Sequence, residues 1–219
     1  MKEIHAPNIR SKNPLRQGKP TPHGMVRQIP EEYKNLPIVS AIRAPLERMI
    51  SLYQYGDWKK QEAVPVPIHE IKMKFPRFPE LNLLEFFNYL YFISKECRLT
   101  IGDENVPLGT QSWAMIDFYY PHNFKGGGQF HFTDHSELWN IFNNIIFLDS
   151  SLINIELHNL LLKIGYHKND LSFLVKKGRV NVSKKTTSDI DKYFIEKINQ
   201  SEWIVNHILK QNKAERPNV

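Results

Sequence analysis

The chain has 219 residues, of which 41% are hydrophobic, and this is enough for a sizeable core in one or two domains. Its net charge of +6 is a mild basic excess, which suits a polyanionic ligand such as a nucleotide, a nucleic acid or an anionic glycan, and equally an ordinary basic surface. Cys97 is the only cysteine, which excludes an intrachain disulfide and a cysteine-based zinc site, and no apolar run reaches the roughly 18 residues that span a bilayer.

The first part of the chain, residues 1–35, is polar and rich in proline, and we expect it to be an irregular segment. Residues 36–42 form a short apolar run with many branched side chains, which is typical of a buried parallel strand. Pro45 then suits the first turn of a helix. Apolar residues follow with the spacing of one helix face: Leu46, Met49, Ile50 and Tyr53. Residues 36–57 are therefore predicted to form a strand, a tight turn and a helix.

The rest of the chain alternates between loops rich in proline or glycine and apolar segments with the pattern of helices or strands. Four prolines predict an irregular loop over residues 58–80, and three glycines predict a flexible loop over 123–132. Apolar periodicity predicts helices over residues 82–93, 110–120, 136–143 and 151–166, and a second buried strand over 145–149. An extended stretch and a basic loop are expected over 171–185. A helical tail is expected over 186–219, opened by a capping box of Ser188 and Asp191. Strands that alternate with helices indicate an α/β fold with a parallel sheet.

The segment with the clearest chemistry surrounds Arg43. This residue stands at the carboxyl end of the first predicted strand and directly before a helix, and ligands of open α/β sheets bind at that edge. A helix N-terminus offers free N–H groups to a phosphate, and a guanidinium can grip phosphate oxygens in two places. Ser51 follows in the same helix, where its hydroxyl can donate to the same anion. The alternative is that Arg43 pairs with Glu47 and that Ser51 only faces solvent.

The pattern R-x-P-x-x-R-x-x-S-x-Y over residues 43–53 resembles the 3′-phosphate-binding motif of sulfotransferases that use 3′-phosphoadenosine 5′-phosphosulfate (PAPS). The resemblance implies that Arg43 and Ser51 contact the 3′-phosphate of PAPS. It also implies a P-loop NTPase-like parallel sheet flanked by helices. One position departs from the family, because Ala44 stands where Asn or Asp is common, and we expect this to weaken a turn contact. Arg48 is expected to be structural and to pair across the helix surface.

Other segments agree with the resemblance in their order along the chain. HGMVRQIP (23–30) is similar to an H-x-x-x-x-I element of carbohydrate sulfotransferases, which implies that His23 is the general base. Residues 75–87 resemble a proline-rich loop and helix of bacterial members. The late strand and helix are followed by GRVNVSKK (178–185), which resembles a basic loop near the cofactor. Four residues there are candidates for contacts with phosphate or adenine, or else form a solvated basic turn: Asn181, Ser183, Lys184 and Lys185.

The family opens with a strand, a Lys-x-Gly-Thr/Ser-Ser loop that holds the 5′-phosphosulfate, and a helix. No segment before Pro37 matches this pattern. The glycines at 126–128 come after the Arg43 segment and lack a following helix signal. We therefore expect the first βα unit to be missing, either because the chain is truncated or because it is a degenerate member of the family.

Taken together, these patterns predict one sulfotransferase-like domain over residues 1–219, with a core at 36–185. Its expected reaction is sulfuryl transfer from PAPS to a hydroxyl, with a glycan as the expected acceptor. The alternatives are a non-catalytic remnant that binds a nucleotide or a partner protein, and a basic nucleic-acid-binding module. We expect no metal site, because the histidines at 122, 131 and 135 fit no metal motif. Without a signal peptide or a membrane span, we expect a cytoplasmic protein.

Overall fold

The computed structural model describes residues 11–12, 20–21, 25–60, 66–94, 97–120, 129–176 and 190–214. Over these residues the fold is mixed α/β and mostly helical, with a small parallel sheet and a separate mixed sheet. This confirms the predicted α/β class, while the finer P-loop-like assignment stays a prediction. The chain divides into two compact units, one of residues 1–36 and 57–143 and the other of residues 37–56 and 144–219.

The first unit combines short helices with two small sheets. Its helices are α2 (Ile68–Lys74), α3 (Leu83–Ile93), α4 (Thr110–Tyr119) and α5 (His135–Asn140). Its strands are β1 (Ser11–Lys12), β2 (Pro20–Thr21), β4 (Arg98–Ile101), β5 (Glu104–Pro107) and β6 (Gln129–Phe132). Strand β1 pairs antiparallel with β2, and β4 lies between antiparallel β5 and parallel β6. Single 3₁₀ turns lie at Val26–Gln28, Glu31–Tyr33 and Asp57–Lys59.

Two sequence predictions in this unit were wrong, and one hairpin was not predicted. The loop expected over 58–80 contains α2, because Pro67 is its N-cap and buried Ile71 anchors its inner face. The stretch 94–109 contains a hairpin that was not predicted, in which Gly102 takes the left-handed conformation with φ 58° between β4 and β5. The loop expected to end at residue 132 ends in β6. Residues 121–128 lie outside the described part of the chain.

The core of the first unit is aromatic. Tyr89 of α3 is 1% exposed, and four rings surround it at centroid distances of 5.6–6.2 Å. These rings belong to Trp58, Phe75, Phe78 and Phe86. Burial raises the pKa of the Tyr89 hydroxyl. Helix α3 was predicted correctly, and it begins with a capping box between Asn82 and Glu85.

The second unit contains the two predicted strands, but the expectation that they are buried is wrong, because each is buried only at its carboxyl end. The two strands are β3 (Ile38–Ile42) and β7 (Ile145–Asp149), and they pair in parallel from Ile38↔Ile145 to Ile42↔Asp149. Its helices are α1 (Pro45–Tyr55), α6 (Ile153–Lys163), α7 (Ser172–Lys176), α8 (Lys192–Ser201) and α9 (Trp203–Ala214). The prediction of strand, turn and helix over 36–57 is confirmed. The extended stretch expected from residue 171 is wrong, because α7 forms there.

Two further features complete this unit. The helical tail consists of α8 and α9, and Asp191 caps α8 by accepting a hydrogen bond from the N–H of Tyr193 at 3.0 Å. Ser188, its expected partner in a capping box, lies outside the described residues. Asn212 of α9 donates from Nδ2 to the carbonyl oxygen of Phe147 at 2.8 Å. This contact satisfies a backbone acceptor of β7, which would otherwise need another partner where the helix packs against the strand.

Candidate functional site

The candidate site lies at the carboxyl ends of β3 and β7. Because the two strands are parallel, the residues that follow them meet at the same edge of the sheet. Arg43 follows β3, and Ser150 follows β7. The N–H of Ser150 donates to the carbonyl oxygen of Ile42 at 2.7 Å, which extends the strand pairing by one residue. The pairing therefore fixes the backbone of Ser150 beside the residue that precedes Arg43.

A side-chain hydrogen bond joins the two strand ends. Arg43 Nε donates to Ser150 Oγ over 3.4 Å, which is longer than the usual range of about 2.7–3.2 Å and makes this a weak bond. Arg43 is partly buried, as is Ser150. This bond holds the guanidinium near the carboxyl ends of β3 and β7, which is the edge where ligands of parallel sheets bind. The sequence placed Arg43 at this edge, but Ser150 was not predicted. Ser150 follows the apolar run 145–148 closely, as Arg43 follows the first apolar run, so its position could have indicated the same edge.

The turn after β7 is fixed by its own hydrogen bonds. Glu156 Oε2 accepts from the N–H of Asp149 at 2.5 Å, and Asp149 Oδ1 accepts from the N–H of Ser151 at 2.8 Å. The carbonyl oxygen of Asp149 accepts from the N–H of Leu152 at 2.9 Å. Asp149 is buried. Ser150 therefore sits in a turn whose backbone is held on both sides, which places its Cβ beside Arg43.

The N-terminus of α1 opens at the same edge. Ala44 is the N-cap and Pro45 is the first helical residue, as the sequence predicted, and no side chain of the described residues caps the helix. Ala44 lacks the side-chain acceptor that Asn or Asp would offer to the first-turn N–H groups. Those N–H groups and the positive end of the helix dipole favour an anion at this position.

Arg48 adds a second positive charge. Burial by surrounding protein atoms lowers the pKa of Arg48, and the positive charge of Arg43 lowers it further. The side chain still exposes much of its surface to solvent, so the burial is partial. Among the described residues, neither Arg48 nor Glu47 forms an ion pair, so the expected pairing of Arg48 across the helix surface is wrong. The alternative pairing of Arg43 with Glu47 is wrong as well.

Ser51 lies further along α1. It is partly exposed and stands three residues after Arg48, so the two side chains are neighbours on the helix surface. No hydrogen bond joins the Ser51 hydroxyl to Arg43 or to Ser150 within the described part of the chain. The structure therefore brings Arg43, Ser150 and the charge of Arg48 together, and leaves Ser51 about two helical turns from the N-cap, roughly 10 Å along the axis.

The other predicted site residues cannot be placed. His23, the predicted base, lies outside the described residues, and so do Asn181, Ser183, Lys184 and Lys185. Their roles stay predictions. The described part of the site combines two guanidinium groups, a helix N-terminus and nearby hydroxyls, which are groups that can bind an anion.

Comparisons with protein-family models, with curated proteins and with solved structures gave no significant match. Among the described residues, no three or more His, Cys, Asp or Glu side chains are grouped so that they could hold a metal ion. Within the same residues, no helix is long and apolar enough to cross a membrane.

Proposed function

We propose that the second unit binds the 3′-phosphate of an adenosine nucleotide, and that the chain is a PAPS-dependent sulfotransferase with a P-loop-like fold. The observation that carries the proposal is the placement of two arginines, Arg43 and Arg48, at the start of α1, where Arg43 is hydrogen-bonded to Ser150. Like charges placed together at the positive end of a helix cost free energy, and a bound phosphate offsets that cost. The sequence pattern of residues 43–53 supplies the identity of the phosphate.

Ser51 extends the site along α1. Its hydroxyl is a donor that can reach an anion held over the Arg48 side of the helix, since the two residues are surface neighbours. The 3′-phosphate would then lie between Arg43 and Ser51, with Arg48 adding positive potential. The mild basic excess of the chain, a net charge of +6, favours the approach of a polyanionic nucleotide.

The proposed reaction is sulfuryl transfer to a hydroxyl, for which a glycan is the proposed acceptor. His23 takes the proton of the acceptor hydroxyl as its oxygen attacks sulfur. A new S–O bond forms to the acceptor, the S–O bond to the 5′-phosphate breaks, and adenosine 3′,5′-bisphosphate leaves with that electron pair. The imidazole of His23 then releases this proton to solvent.

Titration calorimetry with adenosine 3′,5′-bisphosphate and adenosine 5′-phosphate tests the proposal. We expect the wild-type chain to prefer the bisphosphate. Arg43→Ala should weaken bisphosphate binding by about 1.5–3 kcal/mol, the usual cost of losing a hydrogen bond to a charged group, and should hardly affect the 5′-phosphate. Arg98→Ala, an exposed arginine of the first unit, is the matched control and should change neither affinity.

Three results would count against parts of this proposal. Equal losses for both nucleotides in Arg43→Ala would show that Arg43 does not read the 3′-phosphate. Binding of single-stranded DNA or RNA with steep salt dependence and no preference for a 3′-phosphate would favour a nucleic-acid-binding module instead. Bisphosphate binding without transfer from radiolabelled PAPS to sugar acceptors would favour the non-catalytic alternative.

A further inference from the structure

Ser150 accepts a side-chain hydrogen bond from Arg43 Nε, and it reaches this position from the other strand. The two residues are 107 positions apart in the chain. Three backbone interactions hold the turn that carries Ser150: its own N–H to Ile42 at 2.7 Å, Ser151 N–H to Asp149 Oδ1 at 2.8 Å, and Asp149 N–H to Glu156 Oε2 at 2.5 Å. A hydroxyl fixed in this way can restrain a long, rotamer-rich side chain.

The atom that Ser150 engages decides how Arg43 can meet an anion. A guanidinium binds a phosphate side-on through Nε and one Nη, or end-on through both Nη atoms. Because Nε–H is directed at Ser150 Oγ, the side-on mode would require this bond to break. The end-on edge, formed by Nη1 and Nη2, is not used by Ser150.

We propose that Ser150 is a positioning residue that orients the guanidinium of Arg43 for binding of the 3′-phosphate; the ligand in this statement rests on the proposed function. A restrained guanidinium loses less side-chain entropy when it binds a phosphate. Ser150 therefore raises the affinity for the 3′-phosphate although Ser150 itself does not contact the phosphate. Ser150 thereby makes the site selective for nucleotides that carry a phosphate at this position.

A double-mutant cycle tests the proposal with adenosine 3′,5′-bisphosphate as the probe. Ser150→Ala should weaken binding about 3- to 10-fold, as expected for the loss of one neutral acceptor. Ser150→Thr, which keeps the hydroxyl, should restore affinity to within about 2-fold. In the Arg43→Ala background, Ser150→Ala should have no further effect. Ser151→Ala is the matched control, because Ser151 donates to Asp149 through its backbone N–H, which the substitution keeps.

A second measurement needs no nucleotide. In ¹⁵N-resolved NMR spectra, the Nε–H signal of Arg43 should shift and exchange faster with water in Ser150→Ala, and should remain near its wild-type position in Ser150→Thr. An unchanged signal in Ser150→Ala overturns the positioning role. So does a Ser150→Ala effect on affinity that persists in the Arg43→Ala background.

The two levels of inference fail in different ways. Absence of bisphosphate binding by the wild-type chain overturns the proposed function and, with it, the ligand assigned to the oriented arginine. The NMR comparison then decides alone whether Ser150 holds Arg43. Normal binding in Ser150→Ala, with wild-type binding intact, overturns the positioning role and leaves the proposed function standing.

Discussion

The side chains of Arg43 and Arg48 lie within electrostatic range of one another at the start of α1. Burial lowers the pKa of Arg48 most, and the charge of Arg43 lowers it further. Arg48 stands in the first turns of the helix, where the dipole also disfavours a cation. Two sources of repulsion thus act on one residue, and a bound anion would relieve both.

Replacing Arg48 should separate binding from stability. Arg48→Gln should weaken bisphosphate binding about 2- to 5-fold, in keeping with an exposed charge pair of about 0.2–1 kcal/mol. The same change should leave the free energy of unfolding unchanged or slightly higher, because it removes repulsion. Calorimetry and urea denaturation measure the two effects. Arg98→Gln removes the same charge from the first unit and should change neither. A loss of stability in Arg48→Gln would contradict the repulsive role.

The assigned base can be tested by turnover. If the chain transfers sulfuryl groups from PAPS, His23→Ala should lower kcat by about 10²- to 10⁴-fold with little change in nucleotide affinity. His69→Ala, an exposed histidine of α2, serves as the control and should keep full activity. Near-normal turnover in His23→Ala would remove this residue from the mechanism.

The ion pair of Arg27 and Asp117 predicts a pH-dependent stability in the first unit. Both side chains are largely buried, at 12% and 16% exposure, and Arg27 Nη1 also donates to the carbonyl oxygen of Asp117 at 2.7 Å. Burial raises the pKa of Asp117, and Arg27 partly opposes this rise. The folded-state pKa therefore lies above the unfolded value, so the carboxylate penalises folding at neutral pH, and the penalty disappears as pH falls through the folded pKa.

Removing Arg27 should enlarge that penalty. Arg27→Met should destabilise the chain by about 1.5–3 kcal/mol at pH 7, and its difference from the wild type should shrink as pH is lowered through the folded-state pKa of Asp117. In the double variant Arg27→Met/Asp117→Asn the difference should no longer depend on pH. Urea denaturation at several pH values measures this. A difference that grows on acidification would show that Asp117 is not the responsible group.

Tyr89 should be the most sensitive aromatic residue of the first core. Its ring touches four others and is 1% exposed, so Tyr89→Ala should cost about 3–5 kcal/mol through lost contacts and a cavity. Tyr89→Phe keeps the ring and should cost less than about 1.5 kcal/mol. Thermal or urea unfolding compares the two variants. Similar losses of stability in both variants would show that the hydroxyl of Tyr89, and not its ring, contributes most of the stabilisation.

Asn212 should stabilise the second unit through its bond to β7. Asn212→Ala leaves the carbonyl oxygen of Phe147 without this donor, at an expected cost of about 1–3 kcal/mol in urea denaturation. Gln211→Ala changes an exposed neighbour in α9 and should stay within about 0.5 kcal/mol of the wild type. Equal effects of the two variants would show that the cost comes from the helix and not from the strand contact.

The sequence alone determined the elements whose signals are local. The branched apolar runs give β3 and β7, Pro45 and the apolar spacing after it give α1, and the long apolar stretch gives α3. Local signals failed where the context reversed them. Pro67 begins α2 instead of breaking it, and residues 172–176 form α7 although none of them is buried.

Only the tertiary structure decided which residues meet at the site. Arg43 could be placed at a strand end from its neighbours, since a strand–Arg–helix order is local. Ser150 could not be linked to Arg43, because the parallel pairing of β3 with β7 joins segments 107 positions apart. The sequence of neither strand identifies the strand with which it pairs. The repulsion between Arg43 and Arg48 likewise depends on side-chain directions at the helix start, which are set by packing and not by spacing along the chain.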